Sequence, residues 1–156
     1  MGIEIERKFL LKNDGWRKVE GVLYRQGYLN SNRHRTVRVR TIGEKAFLTI
    51  KSKSVGATRS EYEYEIPITD AKAMLDELCE KPIIEKTRHK VDFGGFTWEI
   101  DEFYGENEGL ILAEIELPTA DTDFDLPPWI GEEVTEDTRY FNANLVSNPY
   151  KNWPMD

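Results

Sequence analysis

Apolar and polar residues alternate with a period of two along most of the chain, which is the pattern of β-strands with one buried face. In the first such run, residues 2–10, one face is apolar and the other carries Glu4, Glu6 and Lys8. Further runs predict strands at 22–30, 34–42, 46–53, 59–67, 83–92, 96–104 and 110–118. Eight strands with short connections predict a mainly β fold of the α+β class, built as an antiparallel sheet or barrel.

Two segments depart from this period. Apolar residues at helical spacing predict a helix over 69–81, with Thr69 or Asp70 as its N-cap and Pro82 as its stop. After a long acidic loop at 119–130, a second helix is predicted over 136–147. Aromatic residues near it are expected to pack on the outside of the strands, namely Trp129, Tyr140, Phe141 and Trp153. The stretch Tyr140-Phe141-Asn142 receives no chemical role from the sequence.

The polar faces of the predicted strands are ionised, and their charges are grouped by strand. The third, fourth and sixth strands are basic, whereas the fifth, seventh and eighth are mainly acidic. A sheet with one solvated face is one interpretation, but grouped like charges repel, and surface ion pairs contribute only about 0–1 kcal/mol each. The other is a closed barrel with this face inward, whose buried charges need water, a metal or a ligand. Since Arg suits phosphate and carboxylates suit divalent cations, that barrel predicts a site for a metal-bound oligophosphate.

Length and composition narrow the class of protein further. The 156 residues suit one domain, predicted to span residues 1–156. A net charge of −8 argues against general binding to nucleic acid or to anionic membranes. The single cysteine, Cys79, excludes an intrachain disulfide and fits a reducing compartment. We find no signal-peptide pattern and no long apolar run, so we expect a cytoplasmic protein without a membrane span.

An ordered set of short motifs resembles the CYTH family, also called the triphosphate tunnel metalloenzymes. Glu4-Ile5-Glu6-Arg7-Lys8 matches the ExExK signature of that family. The set continues through Gln26-Gly27-Tyr28, Arg38-Val39-Arg40, Thr49-Ile50-Lys51, Glu61-Tyr62-Glu63, Lys86-Thr87-Arg88, Glu99-Ile100-Asp101 and Glu114-Ile115-Glu116. The resemblance covers nearly the whole chain. Within the family, the sequence is most similar in type to the short bacterial inorganic triphosphatases. The resemblance implies an eight-stranded antiparallel closed barrel forming a tunnel open at both ends, with a few helices packed outside, and Mg²⁺- or Mn²⁺-dependent action on triphosphates.

The resemblance also implies roles for individual residues. Glu4 and Glu6 would hold the catalytic metal with Glu116, while Glu63, Asp101 and Glu114 would serve a second metal or position the attacking water. The residues expected to clamp the phosphates are Lys8, Arg38, Arg40, Lys51, Lys53, Arg59, Lys86 and Arg88. Lys8 and Tyr28 are the candidates for activating water or orienting phosphate. Arg59 and Glu61 are also expected to line a tunnel mouth.

Several functions remain open at this point. Hydrolysis of inorganic tripolyphosphate is favoured over thiamine triphosphate or a nucleotide, because the short chain shows no element that would recognise a base. A class IV adenylyl cyclase, which makes cyclic AMP from ATP, is one alternative. A non-catalytic polyphosphate-binding module is the other, although a binder needs the cations more than it needs the acids. The expected partner is a small triphosphate, with no nucleic acid and no membrane, and a homodimer is left open.

Overall fold

The computed structural model describes residues 3–154, so Gly2, the first residue of the predicted first strand, lies outside the described residues. The strands are β1 (Ile3–Leu11), β2 (Gly21–Asn30), β3 (Arg35–Ile42), β4 (Lys45–Ser52), β5 (Thr58–Ile66), β6 (Ile84–Phe93), β7 (Phe96–Phe103), β8 (Ile111–Glu116) and β9 (Ile130–Glu133). The helices are α1 (Ile68–Glu77) and α2 (Asn142–Ser147), and short 3₁₀ turns cover Gly105–Asn107, Thr138–Tyr140 and Tyr150–Asn152. No helix in residues 3–154 is both long enough and apolar enough to cross a membrane.

Eight of the strands close into an antiparallel barrel, as the family resemblance implied. The order around the barrel is β1, β5, β4, β3, β2, β6, β7, β8, after which β8 pairs with β1 again. The start of β1 pairs with β5, with Glu4 opposite Arg59, and its later part pairs with β8, with Lys8 opposite Glu114. The first strand is therefore the one that joins the two ends of the sheet.

The ninth strand was missed, because its segment was predicted as part of a loop over 119–130. Strand β9 has four residues and follows Pro127-Pro128, which is too short a run for alternation to be visible. The backbone N–H of Glu6 donates to the carbonyl of Ala57, the residue before β5. The carbonyl of Lys8 accepts from the N–H of Val134, the residue after β9. Backbone groups two residues apart point to the same edge of a strand, so β9 continues the edge that β5 leaves.

The first helix begins one residue earlier than predicted and ends four residues sooner, at Ile68 and Glu77 instead of 69 and 81. It begins directly after Pro67, and no side chain caps it, so the predicted capping by Thr69 or Asp70 is wrong. It ends at Glu77 rather than at residue 81, because the N–H groups of Leu78 and Cys79 both donate to the carbonyl of Met74 at 2.9 Å. The bond from Cys79 spans five residues, so the last turn is widened and the helix stops before Pro82 is reached. The helix packs on the outside of the barrel over β3 and β4.

The second predicted helix, over 136–147, is also divided in the structure. Residues 138–140 form a 3₁₀ turn in which the Asp137 carboxylate accepts from the N–H of Arg139 at 3.1 Å. Phe141 then adopts an extended backbone, with φ −71° and ψ 132°, so α2 begins only at Asn142. This interruption places the start of α2 at a new angle to the preceding turn.

Apolar side chains of the C-terminal segment, residues 134–154, enter one end of the barrel. Ile84 lies on the same face of β6 as Lys86, whose side chain points into the lumen, and it packs in one cluster with Leu145, Val146 and Trp153. The other lumen-end members of this cluster are Phe103, Leu110 and Leu112. The C-terminal segment is therefore built into the barrel end, and the prediction that its aromatic residues all pack on the exterior is wrong.

Candidate active site

The barrel encloses a charged cavity of about 420 Å³. All the predicted phosphate-binding residues line it, and they come from five different strands and one loop: Lys8, Arg38, Arg40, Lys51, Lys53, Arg59, Lys86 and Arg88. Tyr28 lines it too, together with most of the predicted metal ligands, which are Glu4, Glu6, Glu63, Glu114 and Glu116. Asp101 is the exception, because it lies fully buried behind the basic residues of β6. Strand alternation together with closure of the barrel thus gathers nearly the whole predicted set around one space.

Grouping of charge by strand is partly offset in the barrel, because a basic strand lies beside an acidic one at two boundaries, β4 with β5 and β6 with β7. On one side Lys51 of β4 lies 3.5 Å from Glu61 of β5. On the other side Arg88 of β6 faces Asp101 of β7, with two hydrogen bonds of 2.8 Å. At these two boundaries the like charges of a strand are offset by opposite charges on its neighbour, in a setting where burial strengthens each attraction. In the described part of the chain, the basic strand β3 lies between β2 and β4 and has no acidic neighbour.

Three carboxylates meet at the seam of the barrel. Ligand oxygens of Glu4, Glu61 and Glu116 all lie within 4.8 Å of one another, and they come from β1 and its two neighbours β5 and β8. Oxygens bound to one Mg²⁺ or Ca²⁺ ion at about 2.0–2.6 Å are separated by no more than about 5 Å, so this donor set fits a hard divalent cation. Glu61 was predicted only for a tunnel mouth. Within residues 3–154, Glu6 is not part of this group.

The electrostatics of the three carboxylates favour a cation. Burial would raise the pKa of Glu4, but Lys51 and Arg59 outweigh it and lower that pKa to about 2. Their Nζ and Nε atoms lie 3.0 and 3.1 Å from Glu4 Oε1. Burial, followed by the charge of Glu4, raises the pKa of both Glu61 and Glu116. A bound cation would remove the electrostatic repulsion among these three carboxylates.

Asp101 orients two of the basic residues. Its carboxylate accepts two hydrogen bonds from Arg88 at 2.8 Å and lies 2.7 Å from Lys86 Nζ. Burial opposes the ionisation of Asp101, but Arg88 and Lys86 outweigh it and lower its pKa to about 2. The metal-binding role predicted for Asp101 would require these contacts to break.

Lys8 is enclosed between two acids. Its Nζ donates to Glu114 Oε1 at 2.6 Å and lies 3.3 Å from Glu6 Oε1. Burial lowers the pKa of Lys8, but the charges of Glu114 and Glu6 outweigh it and raise the pKa above its ordinary value. Lys8 therefore stays charged and can attract an anion, but it is unsuited to accept a proton from water.

Glu6 is the acid in the cavity that is hardest to ionise. Burial, followed by the charge of Glu114, raises its pKa to about 7 from 4.5. The pKa of Glu6 is higher in the folded protein than in the unfolded chain. The protonated Glu6 carboxyl therefore contributes fully to folding stability below pH 4.5, and this contribution is lost as the pH rises through 7.

Replacing Glu6 with Gln should therefore stabilise the metal-free protein at pH 8, by roughly 2–3 kcal/mol, because each pKa unit corresponds to about 1.4 kcal/mol. At pH 5 the wild-type carboxyl is already largely neutral, so we expect the two proteins to unfold at similar temperatures. Thermal unfolding of both proteins in EDTA at the two pH values measures this difference. Equal midpoints at pH 8 would contradict it.

The charged forms of two further basic residues, Arg40 and Lys86, are disfavoured in the cavity. Burial, followed by the charges of Arg38 and Arg88, lowers the pKa of Arg40 to about 9. Burial also lowers the pKa of Lys86 to about 7, although Asp101 works in the opposite direction. An anion in the cavity would stabilise both charged forms, which is the electrostatic signature of an anion site.

The sequence missed the part of the cavity wall that the C-terminal segment supplies. Phe141, which was expected on the exterior, lines the cavity, as do Glu136, Thr138, Asn142, Ala143 and Asn144. Arg33, from the turn between β2 and β3, was also missed. The available signal was weak, since two asparagines interrupt the apolar pattern of the predicted helix, at 142 and 144.

Comparisons with known proteins agree with this geometry. A family model described as the CYTH domain matches residues 2–150. The inorganic triphosphatase of Acetivibrio thermocellus is 56% identical over 154 residues, covering 98% of this chain and 99% of the relative. The inorganic triphosphatase of Nitrosomonas europaea is 40% identical over 147 residues, covering 92% of this chain and 96% of the relative. The crystal structure of the inorganic triphosphatase NE1496 superposes with a TM-score of 0.65 at 40% identity, over 92% of this chain and 93% of that one.

Proposed function

This chain belongs to the CYTH domain family, and on that premise we propose that it is a metal-dependent triphosphatase whose substrate is inorganic tripolyphosphate. The observation that carries the proposal is one cavity in which a compact group of three carboxylates adjoins a set of buried cations. Two relatives over nearly the full length, both named inorganic triphosphatase, support the same activity.

The basic residues account for substrate binding. Tripolyphosphate is a flexible anion with no base or sugar, so its recognition depends on charge and hydrogen bonds. We propose that Arg38, Arg40, Lys51, Lys86 and Arg88 bind its phosphate oxygens. Lys53 and Arg59 reach the same cavity from the end of β4 and the start of β5. The buried cations would gain a partner on binding, which favours the anion over water.

The acidic residues account for the cofactor. We propose that Glu4, Glu61 and Glu116 hold Mg²⁺ or Mn²⁺, and that Glu6, Glu63 and Glu114 adjust the charge around it. A divalent cation in this place supplies charge neutralisation for phosphate oxygens, which is a large part of the stabilisation that phosphoryl transfer needs.

Lys8 and Tyr28 are proposed to position the reacting groups. In the reaction one water oxygen bonds to the terminal phosphorus, the bridging P–O bond breaks, and diphosphate and phosphate are released. Lys8, held charged by Glu114, would attract the terminal phosphate, and the Tyr28 hydroxyl would orient the water or the same phosphate. Lys8 thus contributes as a fixed cation.

The decisive experiment is release of phosphate from tripolyphosphate by the purified protein in Mg²⁺ and in Mn²⁺, with EDTA as the control. We expect release that EDTA abolishes, with less release from ATP and thiamine triphosphate run alongside. Cyclic AMP formed from ATP, without phosphate release, would move the protein to the adenylyl cyclase branch. Binding of tripolyphosphate without turnover in either metal would identify a binding module instead.

The remaining expectations stay proposals. We propose that residues 1–156 act as one domain and that the protein works in the cytoplasm, where a metal-bound triphosphate is available and a free cysteine is stable. The sequence leaves a homodimer open, and sedimentation of the purified protein can decide it.

A further inference from the structure

Asn142, the first residue of α2, links the C-terminal segment to the basic residues of the cavity. Its side-chain Oδ1 accepts from Lys86 Nζ at 3.1 Å and from Gln26 Nε2 at 3.0 Å. Gln26 is fully buried, and its Oε1 accepts from Arg40 Nε at 3.1 Å. A continuous chain of hydrogen bonds therefore joins β3, β2, α2 and β6.

The direction of each hydrogen bond in this chain is fixed by chemistry. Lysine and arginine side chains have only donors, so the atom of Asn142 that faces Lys86 must be its oxygen, and the atom of Gln26 that faces Arg40 must also be its oxygen. The Gln26 amide nitrogen is then the group that meets Asn142. With both of these neighbours donating to Oδ1, the two N–H groups of Asn142 are directed away from them.

Those two N–H groups have no acceptor in the part of the chain that the structure describes. The residue nevertheless lines the charged cavity, next to Lys86 and Arg40. Leu145 and Val146 of the same helix are buried in the core at the barrel end, which holds Asn142 in place. The amide nitrogen is thus a rigidly held, neutral donor among cations.

We propose that Asn142 is a substrate-binding residue whose Nδ2 donates to a phosphate oxygen of the bound polyanion, while its Oδ1 positions Lys86 for the same ligand. The inference rests on the proposed function for its substrate, but it assigns the C-terminal segment a direct part in binding. The donor differs from the surrounding cations in kind, since it adds a hydrogen bond without adding further repulsion among buried positive charges.

The two roles of Asn142 can be separated by substitution. Asn142→Asp retains two acceptor oxygens of the same size, so the bonds from Lys86 and Gln26 survive, but the N–H donors are lost and a negative charge faces the phosphate. Asn142→Ala removes both roles. Asn148→Asp, at the exposed end of the same helix, makes the same chemical change away from the cavity and serves as the control.

We would measure tripolyphosphate binding by calorimetry in EDTA, thermal unfolding, and the kinetics of phosphate release. For Asn142→Asp we expect at least tenfold weaker binding and a correspondingly higher KM. Its kcat should stay within about threefold of wild type and its unfolding midpoint within about two degrees, because the lost interaction holds substrate and transition state alike. Asn148→Asp should match wild type in all three measurements.

Two results would overturn the proposal. One is wild-type binding by Asn142→Asp, and the other is weakened binding confined to Asn142→Ala, since that pattern would mean that Asn142 only supports Lys86. The calorimetry also separates this inference from the proposed activity. If wild-type protein binds tripolyphosphate but releases no phosphate, the hydrolase assignment fails while the binding data still decide the role of Asn142.

Discussion

Glu4→Gln is expected to lower kcat/KM for tripolyphosphate by at least about 10³-fold, which corresponds to about 4 kcal/mol of transition-state stabilisation. Glu4 is the member of the carboxylate trio with the most strongly favoured charge, since Lys51 and Arg59 both contact it. The amide keeps the size of the side chain but removes the negative charge. The bound divalent cation, Lys51 and Arg59 therefore all lose an anionic partner. The measurement is phosphate release at saturating Mg²⁺ and Mn²⁺.

A matched control is available in the hairpin between β3 and β4. Glu44 is exposed there, so Glu44→Gln makes the same change in net charge outside the barrel and should retain full activity. Circular dichroism and thermal unfolding show whether the barrel of each variant is intact. A folded Glu4→Gln protein with normal metal-dependent turnover would refute the metal site.

Asp101→Asn should destabilise the protein by about 3–5 kcal/mol, because it leaves the guanidinium of Arg88 and the ammonium of Lys86 buried without their anion. For a domain of this length the loss corresponds to a fall in the unfolding midpoint of roughly 10 °C. Since the folded-state pKa of Asp101 is about 2, its contribution is present above pH 3.8 and is lost as the pH falls toward 2.

Urea unfolding of the metal-free proteins at pH 7 and at pH 3 tests this prediction. The difference between wild type and Asp101→Asn should be larger at pH 7. Asp76→Asn, on the exposed face of α1, provides the control, and no ion pair of Asp76 is formed in residues 3–154. A loss below 1 kcal/mol at pH 7 would mean that water or rearrangement already solvates the two cations.

Much of the barrel follows from the sequence, because strand alternation assigns each residue to a face. Glu4, Lys8, Arg38 and Lys51 could be placed in the lumen from that pattern together with the family resemblance. The pattern does not give position along the barrel axis. In a barrel with staggered strands, residues on one face of neighbouring strands meet at heights that the register alone decides. For this reason the sequence grouped Glu6 with Glu4, whereas the structure places Glu61 there.

The C-terminal segment shows a different limit of sequence reasoning. Its aromatic residues at 140 and 153 pack in the core cluster, and this signal concealed the position of Phe141 and Asn142 in the cavity wall. Phe141 and Asn142 face the cavity because the backbone turns at Phe141, which periodicity alone cannot reveal. The contact of Asn142 with Gln26 spans 116 residues of sequence, and no local pattern reports such a distance.

The closure of the barrel by β1 determines when the carboxylate trio can first assemble during synthesis. The first strand pairs with β8 and β9, so Lys8 meets Glu114 across 106 residues and Arg7 meets Glu133 across 126. A chain emerging from the ribosome must keep its charged N-terminal strand without these partners until nearly all of the sequence has been synthesised. Contacts of such separation form late and slowly in folding. Nascent chains that end before residue 116 lack one member of the carboxylate trio, so this group can form only after most of the sequence has been synthesised.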